Sequence, residues 1–301
     1  KWDYNRNISY IPYSSFNLDY IKGLYSLLRR VTAAYPDVLF ENCASGGNRF
    51  DLGMLSFFPQ SWMSDDTDSF QREFIQGGAI YGYPLSVMSN HVAAKTSNQL
   101  LRKTTLDTKF DVASFGVLGY ELDLNDLFDK DLSVIKEQIK FYKKHRMTLQ
   151  FGKIGIVSDY SENTNRSIQV FDDEKTIVGI YEAIAKPTSR EGHLKALYLD
   201  DDQLYSYQTR THSFPLQKFG SLVNYVSPVH LKEDGTLLSV LAKHVDMKGE
   251  TDKGITSGRV FRSIGPVLSQ EWSGVGYDER IRLMGDFGSR MYVIEKVKTD
   301  N

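Results

Sequence analysis

Between Phe16 and Ala34 the apolar residues Tyr20, Ile21, Leu24, Leu27, Leu28 and Val31 recur at helical spacing, which predicts one amphipathic helix. Tyr35-Pro36-Asp37 ends it, since proline cannot continue a helix, and the apolar run Val38-Leu39-Phe40 predicts a strand buried on both faces. A second unit repeats the rhythm: Trp62-Met63-Ser64 reads as a strand end, residues 66–81 as a helix and 84–88 as another strand. After Asp111-Val112-Ala113-Ser114-Phe115-Gly116, residues 131–146 place Val134, Ile135, Ile139 and Tyr142 on one helical face. Strands with helical crossovers predict an α/β parallel sheet. With Lys1-Trp2-Asp3 counted as a strand end there are about five strands, too few to close an eight-stranded barrel.

Beyond residue 152 the pattern changes to alternating runs with turn punctuation, at 176–185, 193–199, 204–211 and 281–297, and no long helix is expected. The expected organisation is a partial (β/α)8 barrel over residues 1–152 and an antiparallel β-sandwich over residues 153–301.

Composition narrows the function classes. Hydrophobic residues make up 41% of the 301 and charged residues 25%, as in a globular protein rather than a disordered chain. Lys plus Arg (36) nearly balances Asp plus Glu (38), so no overall field draws nucleic acid or an anionic membrane surface. No run of about 18 apolar residues predicts a membrane span. One cysteine, Cys43, allows no intrachain disulfide, which fits a reducing compartment, and the expected location is the cytoplasm. The basic cluster Lys140, Lys143, Lys144, His145 and Arg146 reads as a solvated helix face. Asn7-Ile8-Ser9 and Asn165-Arg166-Ser167 match the glycosylation sequon, a pattern short enough to recur by chance.

The six histidines stand at 91, 145, 193, 212, 230 and 244, with no pair at ligand spacing. His-Glu-x-x-His, Cys-x-x-Cys and Gly-x-Ser-x-Gly are all missing, so no metal and no cofactor is expected. Asp65, Asp66 and Asp68 lack the glycine and closing glutamate of a calcium loop and read as a capping turn before the next helix. Carboxylates at strand ends carry more promise, because the C-terminal ends of parallel strands open into one mouth. Asp3 ends the first strand fragment and Asp65 a strand two units later, so both can reach the volume that glycosidic cleavage by two carboxylates needs. Lys1 points to the same face as Asp3, and Trp2 the other way, toward a core.

Three motifs in order carry a family resemblance. Lys1-Trp2-Asp3-Tyr4-Asn5-Arg6, Phe40-Glu41-Asn42-Cys43-Ala44-Ser45-Gly46-Gly47-Asn48-Arg49-Phe50-Asp51 and Trp62-Met63-Ser64-Asp65-Asp66-Thr67-Asp68 resemble segments of glycoside hydrolase family 36 α-galactosidases. Gly119-Tyr120-Glu121-Leu122-Asp123 and Gly285-Asp286-Phe287-Gly288-Ser289-Arg290 are similar to further family segments. The resemblance implies Asp3 as nucleophile, Asp65 as general acid/base, and Lys1, Asn5, Cys43, Gly46 and Trp62 as substrate-binding residues. It implies retaining hydrolysis of α-1,6-linked galactosides such as melibiose and raffinose, barrel strands four to eight, and a homotetramer. Small residues at Cys43 and Gly46-Gly47 disfavour a bulky 2-acetamido sugar. The alternatives are a transglycosylase of the raffinose-synthase type and a non-catalytic sugar-binding module.

The chain departs from the family pattern at three places: Asn48 stands for a third glycine, Asp66 for asparagine, and Thr96-Ser97-Asn98-Gln99 for Pro-Asn-His-Gln. His91 keeps the family residue. Because the chain starts inside the first motif, an upstream portion holding the first barrel strands and further sugar-gripping residues is expected, and the chain by itself is expected to be inactive.

Overall fold

The structure is a computed structural model that describes residues 1–3, 5, 7–156, 165–184, 192–225, 227–249, 251–268 and 285–298. Tyr4 and Arg6 of the first motif, Ala185 and residues 281–284 of the expected strands, and the side chain of Asn165 lie outside the described residues.

Helix α1 (Phe16–Ala34) forms where the periodicity places it, and its Leu28 packs with Met54 and Phe58 into a small core lined by Trp2, Leu24 and Phe40. The rest of its apolar side is open, with Leu18 and Leu27 exposed. The run 38–40 is not a strand. Val38 and Leu39 are 51% and 70% exposed, and pairing begins only at β1 (Glu41–Asn42). An apolar run signals a doubly covered strand only when elements cover both its faces, and nothing among the described residues covers these two side chains.

Strands β1, β2 (Gln60–Trp62), β3 (Met88–Ala93) and β4 (Val117–Glu121) form a parallel sheet in sequence order. Trp2 extends it through a parallel bridge to Asn42, donating its N–H to Glu41 O at 2.8 Å and accepting from Cys43 N at 2.9 Å. Helix α2 (Leu52–Leu55), helix α3 (Ser69–Ala79) and helix α4 (Leu106–Ala113) make the crossovers. Residues 85–87, expected in a strand, form a single 3-10 turn, because Pro84 opens a tight turn before β3. Helix α5 (Asp129–Phe151) closes this half and buries Ile135, Tyr142 and Leu149.

The second half starts at β5 (Lys153–Ile156), followed by β6 (Asn165–Phe171), β7 (Lys175–Glu182) and β8 (Leu204–Thr209). A ribbon of β9 (Ser213–Pro215) and β10 (Asp246–Lys248) flanks helix α6 (Thr236–Leu241). Strand β11 (Lys253–Ser257), helix α7 (Gly258–Ser263) and β12 (Gly288–Lys296) complete it. The large sheet is antiparallel with order β11-β8-β12-β7-β6-β5.

Side-chain alternation gives this sheet two apolar faces. Ile168, Val170, Ile177, Tyr181 and Met291 join the core formed with α4 and α5, through Phe110, Phe115 and Leu149. Val178, Ile180, Tyr292 and Ile294 meet Leu194, Ala196, Leu199 and Phe261 on the other side. Among the described residues this second layer is a covering segment and α7 rather than a second sheet of comparable size. Residues 193–199, expected as a strand, make one isolated bridge, His193 to Val267, and lie across the sheet face. Their alternation is real, with Leu194 and Ala196 buried, but Tyr198 takes a positive φ of 63° that a strand cannot hold. The basic cluster is solvated except at His145, which is buried beside Phe141, and burial with Lys144 and Lys175 nearby pushes its imidazole down to about 4.

Candidate active site

The Trp2 segment, the end of β1 and the end of β2 meet at one loop, residues 43–48. Asn42, fully buried at the end of β1, anchors it by donating to Arg49 O (2.8 Å) and to Ser61 Oγ (3.0 Å), and Arg49 Nη2 returns to Cys43 O (2.5 Å). Asp3 stands on one side of this loop, close enough for its charge to act on the Cys43 thiol, and Asn5 Nδ2 lies 3.5 Å from its Oδ2. Asn5 also accepts from Ser45 N at 2.8 Å, so the first motif and the loop are stitched together.

Asp65 stands on the other side. A Cβ on Gly46 would lie 2.2 Å from Asp65 N, and one on Gly47 2.2 Å from Met63 O, so only glycine lets the loop rest on the end of β2. Both take positive φ, 68° and 97°. The close approach expected of this glycine pair is therefore made to the backbone that carries Asp65. One loop thus joins the segments that carry both acids, through Cys43 N, which donates to Trp2 O (2.9 Å), on one flank and through Gly46 against the Asp65 backbone on the other.

The turn that carries Asp65 is heavily bonded. Asp66 N donates to Ser64 Oγ (3.1 Å), Asp68 N to Asp66 Oδ1 (3.0 Å), and Gln71 N to Asp68 Oδ1 (3.1 Å), which makes Asp68 the N-cap of α3. The expected capping turn is therefore present, and Asp66 belongs to it. Arg72 reaches back from α3 to Ser64 O (3.0 Å), and to Ser89 O and Asn90 Oδ1 on β3. Asp65 itself is exposed. Its carboxylate accepts from the Trp62 indole N–H at 2.9 Å, and its carbonyl accepts from Gln99 at 3.1 Å.

Trp62 is only 3% exposed. Its ring stacks on His91 (4.3 Å between centroids), with Arg72 Cζ 4.4 Å and Lys1 Nζ 4.8 Å from its centroid. The indole is thus packed against cations and turned toward Asp65. Lys1 pairs with Glu41 at 3.5 Å. Glu41 also accepts from Gln60 (2.8 Å) and Ser89 (2.7 Å). Burial alone would push this carboxyl up, but those two hydrogen bonds and the Lys1 charge outweigh it and hold it below the usual range. Burial pushes the Cys43 thiol up, so it stays protonated beside Asp3.

Of the residues singled out from the sequence, Asp3, Asn5, Cys43, Gly46, Trp62 and Asp65 form one connected rim, and Lys1 joins it through the face of Trp62. Trp2 turns away and meets Phe58, as expected. Glu41, Gln99 and the pair His91–Glu121 (3.2 Å) were not singled out for this rim. Glu41 was legible as a strand-end carboxylate, whereas Gln99 comes from a loop whose position no periodicity reports. Among the described residues no cluster of His, Cys, Asp and Glu is arranged to hold a metal ion.

Comparison with known proteins places the chain in a family. The melibiase family model matches residues 1–152. The chain is 43% identical over 161 residues to α-galactosidase 1 of Pediococcus pentosaceus, covering 51% of the chain and 22% of that relative. It is 35% identical over 218 residues to α-galactosidase AgaA of Geobacillus stearothermophilus, covering 69% and 30%. Among solved structures, the Lactobacillus brevis α-galactosidase superposes over 100% of the chain and 36% of its own length (TM-score 0.75, 29% identity). A variant of AgaA in complex with raffinose does so over 98% and 35% (TM-score 0.74, 26% identity). The chain therefore spans less than a third of these curated relatives and about a third of the solved ones. With its family motifs gathered on one rim, the chain belongs to the melibiase family, among the glycoside hydrolase family 36 α-galactosidases.

Proposed function

We propose that this chain supplies the catalytic carboxylates of a retaining α-galactosidase that removes terminal, mainly α-1,6-linked, galactose from melibiose- and raffinose-type sugars. The observation that carries the reading is the 43–48 loop, which is hydrogen-bonded to the segment bearing Asp3 on one flank, at Trp2 O and Asn5 Oδ1, and packs on the backbone of Asp65 on the other. In this reading an Asp3 oxygen attacks the anomeric carbon and the glycosidic bond breaks, while Asp65 gives its proton to the leaving oxygen. Asp65 then takes a proton from water, whose oxygen displaces Asp3 and restores the starting configuration. Retention by two inversions calls for carboxyl groups about 5–5.5 Å apart. Trp62 would serve by aiming Asp65, and Asn5 and Cys43 by aiming Asp3 and bordering the sugar.

Both carboxylates face solvent on this chain. A glycosidase site gains from walls that exclude water and grip the sugar, so hydrolysis is expected of an intact protein in which this rim is covered, and not of the 301 residues alone. We further propose a cytoplasmic homotetramer, in keeping with the single buried free cysteine and with apolar side chains exposed along α1.

The test is hydrolysis of p-nitrophenyl α-galactoside by the intact protein and by Asp3→Ala and Asp65→Ala, with azide added. The expected result is loss of activity in both variants, rescue of Asp3→Ala as a β-galactosyl azide and rescue of Asp65→Ala as an α-galactosyl azide. Activity close to wild type in either variant would refute the assignment.

A further inference from the structure

The acid/base turn is held by a loop that the family resemblance left without a role. Between β3 and α4, residues 95–104 fold back on themselves: Ser97 N donates to Arg102 O (2.9 Å), Leu101 N to Ser97 O (2.8 Å), and Thr96 bridges Lys103. This small hairpin contains the Thr96-Ser97-Asn98-Gln99 departure. From it two side chains reach the turn at its two ends. Gln99 donates to Asp65 O (3.1 Å), and Arg102 pairs with Asp68, whose carboxylate is fully buried.

Arg102 is itself gripped from elsewhere. Its guanidinium lies 4.9 Å from the ring of Phe70 at the start of α3 and 4.3 Å from the ring of Phe287, and the two rings meet edge to face at 5.1 Å. Phe287 comes from the turn just before β12, where its N–H donates to Ala183 O (3.0 Å). The turn that presents Asp65 is therefore tied, through Asp68 and Arg102, to the antiparallel half of the molecule. Asp68 has few other options. Its Oδ1 accepts from Arg102 and Gln71 N, while its buried Oδ2, like the buried Nζ of Lys109 on α4, makes no hydrogen bond. A buried carboxylate stripped of its ion-pair partner must move or take a proton, and the backbone three residues upstream moves with it.

We propose that Arg102 is a positioning residue for Asp65, acting through Asp68, with Gln99 as the second point of support and Phe287 holding Arg102 in place. The segment around Phe287 then serves the reaction without touching the sugar. This rests on the reading of Asp65 as general acid/base, and the test is chosen so that the two can fail separately.

The chain has three tryptophans, so selective labelling gives three indole N–H signals, and Trp62→Phe assigns the one bonded to Asp65. Arg102→Met keeps the packing stem and removes the charge, Phe287→Leu removes only the ring, and Arg102→Lys keeps the charge without the planar stack. Each is first shown to melt cooperatively. In Arg102→Met and Phe287→Leu the Trp62 indole proton is expected to exchange at least about tenfold faster, with the Trp2 signal unchanged and Arg102→Lys between them and wild type. In the intact enzyme the same variants are expected to lose about tenfold or more of kcat/KM on an unactivated galactoside, which needs the general acid. They should lose less than about twofold on a dinitrophenyl galactoside, whose leaving group departs unaided. Unchanged indole exchange, or equal loss on both substrates, overturns the proposal. If the wild type hydrolyses neither galactoside, the functional reading fails, and the exchange measurement still decides whether Arg102 positions Asp65.

Discussion

The rim at the strand ends and the interface between α4 and the antiparallel sheet both gather carboxylates, and they treat them in opposite ways. At the rim, Asp65 is exposed and its carboxylate takes one hydrogen bond, from Trp62. At the interface, Asp111 is fully buried and its two oxygens accept from Arg210 twice (2.9 and 2.8 Å), from His212 (2.9 Å) and from Ser289 (2.7 Å). Asp107, one turn earlier, accepts from Arg210 (2.6 Å), Ser213 N (2.6 Å) and Gln138 (3.0 Å). Every partner but Gln138 comes from the second half of the chain. A carboxylate with its lone pairs occupied on all sides is a fastener, and one with free lone pairs toward solvent is available for chemistry.

The largest expected effect lies at the interface. Asp111→Ala leaves the buried Arg210 and His212 with fewer partners and should cost about 3–5 kcal/mol in urea unfolding, or prevent folding altogether. A loss below about 1 kcal/mol would mean that Asp111 is not a main fastener between the two halves.

The next effect is one of pH. Burial alone would raise the Asp107 carboxyl, but the Arg210 guanidinium and then His212 outweigh it and hold it at about 2, below its ordinary 3.8. A depressed carboxylate contributes stability that is fully present above pH 3.8 and disappears as the pH falls toward 2, about 2 kcal/mol here. Asp107→Asn should lower stability at neutral pH and flatten the pH dependence across that window in denaturant titrations. His212 is held above its ordinary 6.5, because the Asp111 charge outweighs the burial that would lower it. Its contribution is present below 6.5 and fades as the pH rises past its folded value.

The smallest effect is expected at the rim, where Asp65→Ala should change stability by less than about 0.5 kcal/mol in the same assay, as exposed substitutions do. A loss above 1 kcal/mol there would make Asp65 structural and erase the contrast between the two regions.

The sequence had little with which to separate these carboxylates. Helix α1 was readable to its ends because its stripe is amphipathic and Pro36 follows it. Helix α4 was missed because all eight of its residues are buried, Asp107, Lys109 and Asp111 included, so polar positions marked no solvent face. The run 38–40 misled for the converse reason, since its apolar side chains stand exposed. Arg210 and His212 are about 100 residues from Asp111, and no local pattern announces such a pairing.

The sequence by itself determined the local rules: where proline and glycine break or permit a conformation, which segments follow the 3.6- or 2-residue period, and which strand ends carry Asp3 and Asp65. Family membership was written in those strand-end motifs. Only the tertiary structure decided which carboxylates are fasteners, that Gly46 yields to the backbone of Asp65, and that Phe287 reaches back to Arg102. Burial and partnership are properties of residues brought together from distant parts of the chain, and such meetings leave no periodic trace in a sequence.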